Sequence, residues 1–221
     1  KIINENDSSQ LKESKILDNA LKRENFQRNF ALKKLHEVND NDLILINDLD
    51  EIPELKNFSY KNKITIFKQR MLYFKFNLVY KNLSWTGSKI CKKKDLISPQ
   101  WLRNIKTRKY PLWRFDIFFS KKKYNNIEII ENGGWHFTNI KTADEIHHKM
   151  KSFLHHFEYE NSGLNPEMIE RLIKDKKALY NYNADQRDNK WSNNTELEKI
   201  NLEFLPDYIN ENLDKYQNWL N

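Results

Sequence analysis

The sequence predicts a protein of the α/β class. An unbroken apolar run, Leu43–Ile46, is typical of a strand covered on both faces in the middle of a parallel sheet. A long segment from Leu11 to Val38 repeats its apolar residues at about 100° per residue, which is the period of a helix. Further strand-like and helical segments follow, so both kinds of element are expected along the chain.

The composition indicates one soluble domain spanning residues 1–221. A chain of this length can bury a substantial core without disulfide bonds, and its single cysteine, Cys91, excludes an internal one. No apolar run reaches the roughly 20 residues of a membrane span, and no signal-peptide pattern opens the chain. A cytoplasmic protein is therefore expected.

The net charge of +7 is unevenly distributed, because basic residues gather in Lys89–Lys94 and Lys121–Lys123. Such clusters favour polyanions or an anionic membrane surface, so a peripheral membrane contact is one expectation. Aromatic residues make up 13% of the chain and can stack on bases, but they serve sugars and ordinary cores equally well. Nucleic-acid binding is therefore kept only as an alternative.

In the helix predicted from Leu11 to Val38, the charged residues Glu24 and Arg28 fall within the apolar stripe. Their spacing of four allows an ion pair within the helix. Equally, Arg28 can reach a diphosphate beside the neighbouring strand. The apolar stripe itself consists of Leu17, Leu21, Ala31, Leu35 and Val38.

Three carboxylates follow the apolar strand directly, in the stretch DLILINDLDEIP from Asp42 to Pro53. Pro53 removes a backbone donor, so the ladder cannot continue as a central strand. We therefore expect Asp48, Asp50 and Glu51 at the carboxyl end of the strand, where open α/β sheets bind ligands. Asp48 and Asp50 offer hard oxygen ligands to Mg²⁺ or Mn²⁺, and the alternative is simply an acidic turn.

Two strands are predicted next, at Ile64–Phe67 and Met71–Tyr80. In the second strand one face is expected to be buried, because apolar and polar side chains alternate. The apolar set is Leu72, Phe74, Phe76 and Leu78, and the other set is Tyr73, Lys75 and Asn77.

The loop from Trp85 to Ser88 suits contacts with a sugar or a base, although a Trp packed over a glycine is equally typical of a core. Ser98-Pro99-Gln100 predicts the start of a helix that carries Trp101 and Arg103. Trp85 is therefore a candidate contact residue in addition to those of the acidic stretch.

Another strand is predicted at Ile127–Ile130, and the next begins at Gly133-Gly134. Two adjacent glycines indicate a sharp bend or a close approach of the backbone to another group. His136 follows them and is a candidate ligand, with a hydrogen-bonded structural histidine as the alternative.

The last third of the chain is predicted to be mainly helical, with a polar loop at residues 180–194. Thr142 and Glu145 form a capping-box pattern, Asn165-Pro166 starts a second helix, and Pro206 opens a third. The buried stripe of the first of these helices is Ile146, Met150, Phe153 and Phe157. The adjacent pairs among His147, His148, His155 and His156 point about 100° apart, so no zinc site is predicted.

Four blocks of the sequence resemble glycosyltransferase family 17, the family of the bisecting β-1,4-mannosyl-glycoprotein 4-β-N-acetylglucosaminyltransferase. They are Arg23 to Asn29, the DLILINDLDEIP stretch, Trp85 to Lys89, and GGWHF followed by Lys149 and Ser152-Phe153-Leu154-His155. The ending LPDYINENLDKYQNWL is also similar to that of such enzymes. Two departures are Asn47, where serine is usual, and Phe157, where a glutamate is usual.

The resemblance implies a GT-A type nucleotide-sugar-binding fold, with a mixed central sheet flanked by helices. It implies an inverting glycosyltransferase that moves a sugar, N-acetylglucosamine by expectation, from a UDP-sugar donor to a glycan or glycoconjugate acceptor. Asp48, Asp50 and His136 would hold Mn²⁺ or Mg²⁺. The donor would contact Arg28, Asp48, Trp85 and Lys149.

Inverting transfer needs a carboxylate base, and spacing nominates Glu51 beside Asp50, with Glu128 and Glu131 as alternatives. A metal-dependent phosphoryl-transfer enzyme or nuclease would also use clustered acids, and a basic nucleic-acid-binding module is the other alternative. The resemblance begins near the first helix, so N-terminal strands of the fold are expected to be missing from these 221 residues. Poor UDP binding and self-association through an apolar sheet edge are expected to follow.

Overall fold

The computed structural model describes residues 1–108, 110–111, 113–152, 156–184, 189–191 and 195–221. The chain forms two compact units. The first unit contains Lys1–Phe26, Leu72–Leu83 and Phe137–Asn221, and the second contains Gln27–Met71 and Ser84–His136. The sequence predicts one domain, and whether these two units form a single domain stays a prediction.

The structure is mixed α/β, with two mixed sheets flanked by helices. The α-helices are α1 Ser9–Phe30, α2 Pro99–Arg103, α3 Ala143–Ser152, α4 His156–Asn161, α5 Pro166–Lys174, α6 Asp207–Asn210 and α7 Leu213–Tyr216. The strands are β1 Leu43–Ile46, β2 Glu51–Pro53, β3 Ile64–Phe67, β4 Gln69–Tyr73, β5 Leu78–Trp85, β6 Lys89–Lys92, β7 Ile127–Ile130, β8 Gly134–Thr138 and β9 Leu197–Lys199. Short 3₁₀ helices occupy Ala31–Glu37, Lys93–Asp95, Phe115–Ile117, Leu202–Phe204 and Gln217–Trp219.

The four-stranded sheet has the order β1-β6-β3-β7 and lies within the second unit. β6 pairs antiparallel with β1 and with β3, whereas β3 and β7 are parallel. In the part of the chain that the structure describes, β1 has β6 as its one strand neighbour. The prediction of a central parallel position for Leu43–Ile46 is therefore wrong.

The reason for this error is that an apolar run does not specify its partners. Ile44 is buried, but Leu43 is exposed and the other two residues are half-buried. The strand therefore has one well-covered residue rather than two covered faces. An antiparallel edge strand and a central parallel strand can share the same four-letter pattern.

The core of the second unit lies between this sheet and α2. It contains Ile64, Ile66, Cys91, Trp101, Leu102, Ile105 and Ile127. Burial raises the pKa of the Cys91 thiol to about 12, so this thiol is a packing group at neutral pH. Lys89 is also buried, and Lys93 is paired with Asp40 at 2.9 Å, so Lys89–Lys94 is not the exposed basic patch that the sequence suggests.

The second sheet has the order β2-β8-β4-β5-β9. β2 stands at its edge and contains Pro53, as expected for a strand that lacks one backbone donor. The single strand predicted over Met71–Tyr80 is wrong, because Phe74 has a φ of 65° and turns the chain between β4 and β5. Both Tyr73 and Asn77 are consequently buried, although the alternation placed them outside.

Helix α1 is shorter than predicted and has no fully buried residue. It ends at Phe30, and a 3₁₀ helix continues over Ala31–Glu37. A 3₁₀ helix turns by about 120° per residue instead of 100°, so Ala31, Leu35 and Val38 lose their alignment with Leu17 and Leu21. The continuous apolar stripe predicted across this segment therefore does not form.

The first unit confirms the local helix signals. Glu145 Oε2 accepts from the backbone N of Thr142 at 2.9 Å, which is half of a capping box, and Asn165 Oδ1 accepts from the N of Met168 at 2.9 Å at the start of α5. Ile146 and Met150 are buried as predicted, Phe157 is half-buried, and Phe153 lies outside the described residues. The helix predicted after Pro206 is divided into α6 and α7.

None of the helices within the described ranges is both long enough and apolar enough to cross a membrane.

Candidate functional site

The acidic stretch forms a short loop between β1, which ends at Ile46, and β2, which begins at Glu51. Its carboxylates therefore follow the end of an apolar strand, as the sequence predicts. The backbone N of Glu51 donates to Asp48 O at 3.1 Å, which makes the turn. Asn47 Nδ2 donates to the carbonyl oxygens of Asp48 and Glu51 at 3.0 and 2.9 Å, so this side chain closes the loop on itself.

Glu51 is the buried centre of the site, with a side chain that is 0% exposed. Arg103 Nη1 donates to its Oε1 at 2.9 Å and to its Oε2 at 2.6 Å. Trp85 Nε1 donates to Oε1 at 2.5 Å, and the backbone N of Asp48 donates to Oε2 at 2.9 Å. Both carboxylate oxygens are thus fully engaged in charge-assisted hydrogen bonds.

These contacts set the protonation state of Glu51. Burial by itself would raise the pKa of this carboxyl, but the hydrogen bonds from Arg103 and Trp85 outweigh it, and the pKa lies below its usual value. An engaged carboxylate with a lowered pKa is a poor general base. The geometry therefore favours a supporting role for Glu51 over the catalytic role expected from the sequence.

Gly87 is packed against this centre. A Cβ added at Gly87 would lie 1.8 Å from Glu51 Oε1 and 2.5 Å from Arg103 Nη1. Only a residue without a side chain lets the loop after Trp85 pass so close to the ion pair. The close approach accounts for the glycine that follows Trp85 and Thr86.

Asp48 lies between two guanidinium groups. Arg28 Nη2 is 3.1 Å from its Oδ1, and Arg103 Nη2 is 2.7 Å from its Oδ2. Arg28 also donates to the side chain of Gln100, so it reaches the acidic loop rather than Glu24, which is exposed. Of the two sequence-based interpretations of Arg28, the ion pair with Glu24 is wrong.

Asp50 points to a different partner, His136. The distance from His136 Nε2 to Asp50 Oδ1 is 3.5 Å. His136 lies on β8 directly opposite Glu51 in the β2–β8 register, and its ring stacks on Trp85 with a centroid separation of 4.6 Å and an interplanar angle of 11°. The stacking fixes the imidazole plane while the Asp50 side chain stays 41% exposed.

The bend before His136 depends on Gly134, as the adjacent glycines predict. Gly134 has a φ of +126°, and a Cβ there would lie 2.2 Å from Ile52 O. This glycine therefore lets β8 pass close to β2, with Gly134 paired to Pro53 and Trp135 to Ile52. The result is that His136 is delivered next to the acidic loop.

Lys149 was the remaining residue expected to contact the donor. It belongs to the first unit, where its Nζ donates to Asn139 Oδ1 at 2.9 Å. Asn139 in turn donates to the hydroxyl of Tyr73 at 3.2 Å. Leu154 and His155, which were part of the same sequence block, lie outside the described residues.

The alternative bases lie on another part of the second unit. Glu128 belongs to β7 and lines a cavity of about 200 Å³ together with Glu54 and Gly133. Glu131 is exposed and pairs with Lys68 at 3.0 Å.

Arg103 and Lys89 belong to the site, although no pattern in the sequence assigns them to it. Arg103 is the last residue of α2 and joins Asp48 to Glu51, while Lys89 Nζ donates to the carbonyl oxygens of Arg103 and Ile105, both at 2.6 Å. Burial and the charge of Arg103 lower the pKa of Lys89 to about 8. The sequence feature that could have pointed to Arg103 is the helix cap at Ser98, whose Oγ accepts from Trp101 N at 3.0 Å. This cap starts a short helix that ends at Arg103.

The three metal ligands predicted from the sequence do not form one group. Among the residues that the structure describes, no cluster of three or more His, Cys, Asp or Glu side chains could hold a metal ion. The physical reason is that both oxygens of Asp48 accept hydrogen bonds from guanidinium groups. Asp50 and His136 are left as a pair of candidate donors, one oxygen and one nitrogen.

No protein-family model, no curated protein and no solved structure matches the chain.

Proposed function

We propose that the chain is a metal-dependent inverting glycosyltransferase of GT-A type that uses a nucleotide-diphosphate sugar. The donor expected from the resemblance to glycosyltransferase family 17 is a UDP-sugar, UDP-N-acetylglucosamine in particular, and the acceptor is a glycan or glycoconjugate. The observation that carries the proposal is the Asp50–His136 pair, which lies at the end of an apolar strand beside two arginines.

The two donor atoms of the pair are close enough for one divalent cation to draw them together. Adjacent ligands of an octahedral cation at about 2.1 Å are roughly 3.0 Å apart, so Mn²⁺ or Mg²⁺ requires the observed 3.5 Å to shorten by about 0.5 Å. A carboxylate oxygen and an imidazole nitrogen are ligands that Mn²⁺ takes readily. Two protein ligands leave most coordination positions for phosphate oxygens and water, so the cation is expected to bind together with the nucleotide.

The charges of the site support a diphosphate. Asp48, Asp50 and Glu51 carry three negative charges, and Arg28, Arg103 and Lys89 carry three positive ones, so these charges balance at neutral pH. A divalent cation adds two positive charges, and an anionic diphosphate is then attracted to the site. The cation supplies stabilisation of the charge that develops on the leaving diphosphate.

The chain's own residues have separate parts in this proposal. Asp50 and His136 hold the cation, Trp85 keeps the imidazole plane in place, and Arg28 is available to a diphosphate oxygen when it loosens from Asp48. Glu51 holds Arg103 and Trp85 and takes no proton from the acceptor. A base for the acceptor hydroxyl is assigned to none of these residues.

The test is calorimetric titration of UDP with and without Mn²⁺. The unmodified chain should bind UDP at least tenfold more tightly with Mn²⁺, and Asp50→Asn and His136→Ala should each remove this difference. Asp50→Asn should change the melting temperature little, whereas His136→Ala should also lower it, because it removes a buried ring that stacks on Trp85. The matched control is Glu37→Gln, because His36 and Glu37 form a similar pair at 3.6 Å that is well exposed. This variant should bind Mn²⁺ and UDP as the unmodified chain does.

Two results would contradict the proposal. Mn²⁺-dependent UDP binding that survives both Asp50→Asn and His136→Ala would show that the pair holds no cation. Hydrolysis of a phosphodiester, with no release of UDP from UDP-N-acetylglucosamine, would favour the phosphoryl-transfer alternative instead.

A further inference from the structure

The segment from Lys106 to Lys123 carries most of the excess charge of the chain. It contains seven basic residues and one acidic residue, a net charge of +6, whereas the whole chain has +7. Among its described residues, the exposed cations are Lys106, Arg108, Lys121 and Lys122. This segment, and not Lys89–Lys94, is therefore the basic surface of the second unit.

Between these cations the chain presents large apolar side chains to solvent. Trp113, Phe115, Phe118 and Phe119 are between 71% and 91% exposed. Four such residues within seven positions make an exposed apolar patch, which soluble proteins rarely carry without a partner. We call these four residues the aromatic tip.

The aromatic tip is held in a defined shape. Ile117, in the middle of it, is buried and lies in a 3₁₀ helix that spans Phe115–Ile117. Arg114 Nε and Nη2 each donate to a different Asp116 oxygen at 2.7 Å, and Lys123 Nζ donates to Asp116 Oδ2 at 2.9 Å. Asp116 therefore joins Arg114, within the tip, to Lys123 at the end of the segment.

The base of the segment is joined to the core of the second unit. Trp101 Nε1 donates to Lys121 O at 2.6 Å, and the backbone N of Lys106 donates to Lys122 O at 2.8 Å. Tyr110 lies under Arg114 and Lys123, with cation-to-centroid distances of 5.6 and 5.8 Å. The tip is thus presented by an ordered support, so binding through it would cost little conformational entropy.

We propose that the aromatic tip inserts into the interface of a bilayer that contains anionic lipids, with Lys106, Arg108, Lys121 and Lys122 contacting the headgroups. Trp and Phe side chains enter the headgroup boundary, and each nearby cation strengthens binding to an anionic surface by about fivefold. The exposed cations lie on either side of the apolar tip in the sequence. Their charge is complementary to the anionic headgroups, while the apolar side chains of the tip suit the acyl boundary.

A single-stranded nucleic acid is the less favoured occupant of this surface. Binding of that kind alternates rings and cations along a groove so that bases stack in succession. Here the cation within the tip, Arg114, is already engaged by Asp116, and the exposed cations lie outside the run of exposed rings. This inference does not depend on the proposed glycosyltransferase activity.

The experiment is co-sedimentation of the full chain with vesicles of phosphatidylcholine, with or without phosphatidylserine. The chain should sediment with the vesicles that contain phosphatidylserine and much less with phosphatidylcholine alone. Phe118→Ser/Phe119→Ser and Lys121→Glu/Lys122→Glu should each weaken this binding at least tenfold, and added salt should weaken it too. Their controls are Ile97→Ser, at another exposed apolar residue, and Lys33→Glu/Lys34→Glu, both of which should bind almost normally.

A second measurement compares the unmodified chain with Trp113→Phe, a conservative change at an exposed position. Brominated acyl chains quench the fluorescence of a tryptophan that enters the bilayer, and this quenching should largely disappear in Trp113→Phe. Equal binding by the tip variants and the controls would overturn the proposal. Absence of binding to phosphatidylserine vesicles would also overturn it. Binding to polyuridylate in place of the vesicles would favour a single-stranded nucleic acid as the occupant.

Discussion

Asp48 and Asp50 are two positions apart in one loop, and their side chains are equally exposed, at 41% each. Their partners nevertheless differ. Asp48 accepts hydrogen bonds from Arg28 and Arg103, whereas Asp50 lies beside the imidazole of His136. Equal exposure therefore does not imply equal surroundings, because guanidinium groups contact Asp48 and an imidazole lies beside Asp50.

The contacts of Arg103 explain how three carboxylates can lie so close together in the acidic stretch. Three neighbouring carboxylates repel each other, and Arg103 compensates two of them by bridging Asp48 and Glu51. The remaining carboxylate, Asp50, faces a histidine that can bind a metal when neutral. The loop therefore contains one carboxylate held by two guanidinium groups and one that lies beside an imidazole.

The largest effect should come from Glu51→Ala. This change leaves the buried guanidinium of Arg103 without one of its two carboxylates and leaves the Trp85 N–H without its acceptor. Removing one partner of a buried ion pair costs about 3–5 kcal/mol of the free energy of unfolding, measured by urea denaturation. The control Glu198→Ala, which removes an exposed pair with Lys81 at 3.5 Å, should cost less than about 1 kcal/mol.

Glu51 should also make the stability of the folded chain sensitive to acid. The pKa of Glu51 is lower in the folded chain than its usual value of 4.5, so its contribution is complete above that pH and is lost as the pH falls through the folded value. Glu51→Gln should therefore flatten the loss of stability below pH 4.5. Equal acid sensitivity of this variant and the unmodified chain would show that another carboxylate dominates.

Gly87→Ala should have the next largest effect. Its Cβ would overlap Glu51 Oε1, and relieving that overlap must displace the ion pair, at a cost of about 2–3 kcal/mol in a urea titration. Gly163→Ala is the control, because it meets nothing within 4 Å and tests only the strain of a φ of +68°, about 1 kcal/mol. Similar losses in both variants would argue against close packing at Gly87.

Lys89→Met should be milder, with a loss of about 1–3 kcal/mol at neutral pH, because the carbonyls of Arg103 and Ile105 lose their donor. The pKa of Lys89 is about 8 in the folded chain and 10.5 ordinarily, so between these values the unfolded chain binds more protons and stability rises with pH. The gap between the unmodified chain and Lys89→Met should therefore widen from pH 8 to 10.5 in urea titrations. A constant gap would contradict the buried ammonium.

Asp50→Asn should have the smallest effect on stability, less than about 1 kcal/mol, because its pairing with His136 is partly solvated. Asp48→Asn is the sharpest comparison, since it removes the negative charge that two guanidinium groups share. We expect Asp48→Asn to lower the melting temperature more than Asp50→Asn does. The reverse order, measured by thermal denaturation, would contradict this contrast between the two carboxylates.

Local signals in the sequence predicted local structure well. Ser98-Pro99 and Asn165-Pro166 start helices, Thr142 and Glu145 form a cap, and the glycine before Trp135 makes the expected close approach. Each of these features is decided by hydrogen bonds or sterics within a few residues. The strand positions of Leu43–Ile46 and Ile127–Ile130 were also correct.

Partners distant in sequence were not predictable from the same patterns. The apolar run of β1 does not reveal that its neighbour is β6, and the alternation over Met71–Tyr80 does not reveal the turn at Phe74. For the same reason Asp48, Asp50 and Glu51 were correctly placed after the end of β1, but neither the strand that begins at Glu51 nor the arginine that bridges Asp48 and Glu51 was identified. Spacing shows which residues can meet within an element, while tertiary contacts decide which of them do.

The contacts of Glu51 also have a consequence for the order of folding. Its partners Trp85 and Arg103 are 34 and 52 positions away, so the chain must close long loops before either contact forms. During synthesis, Glu51 leaves the ribosome well before Arg103, the arginine that neutralises it. Until Arg103 is present, burying the Glu51 carboxylate is unfavourable and the side chain stays hydrated. We therefore expect the acidic loop to become ordered late, so that substitutions there accelerate unfolding more than they slow folding.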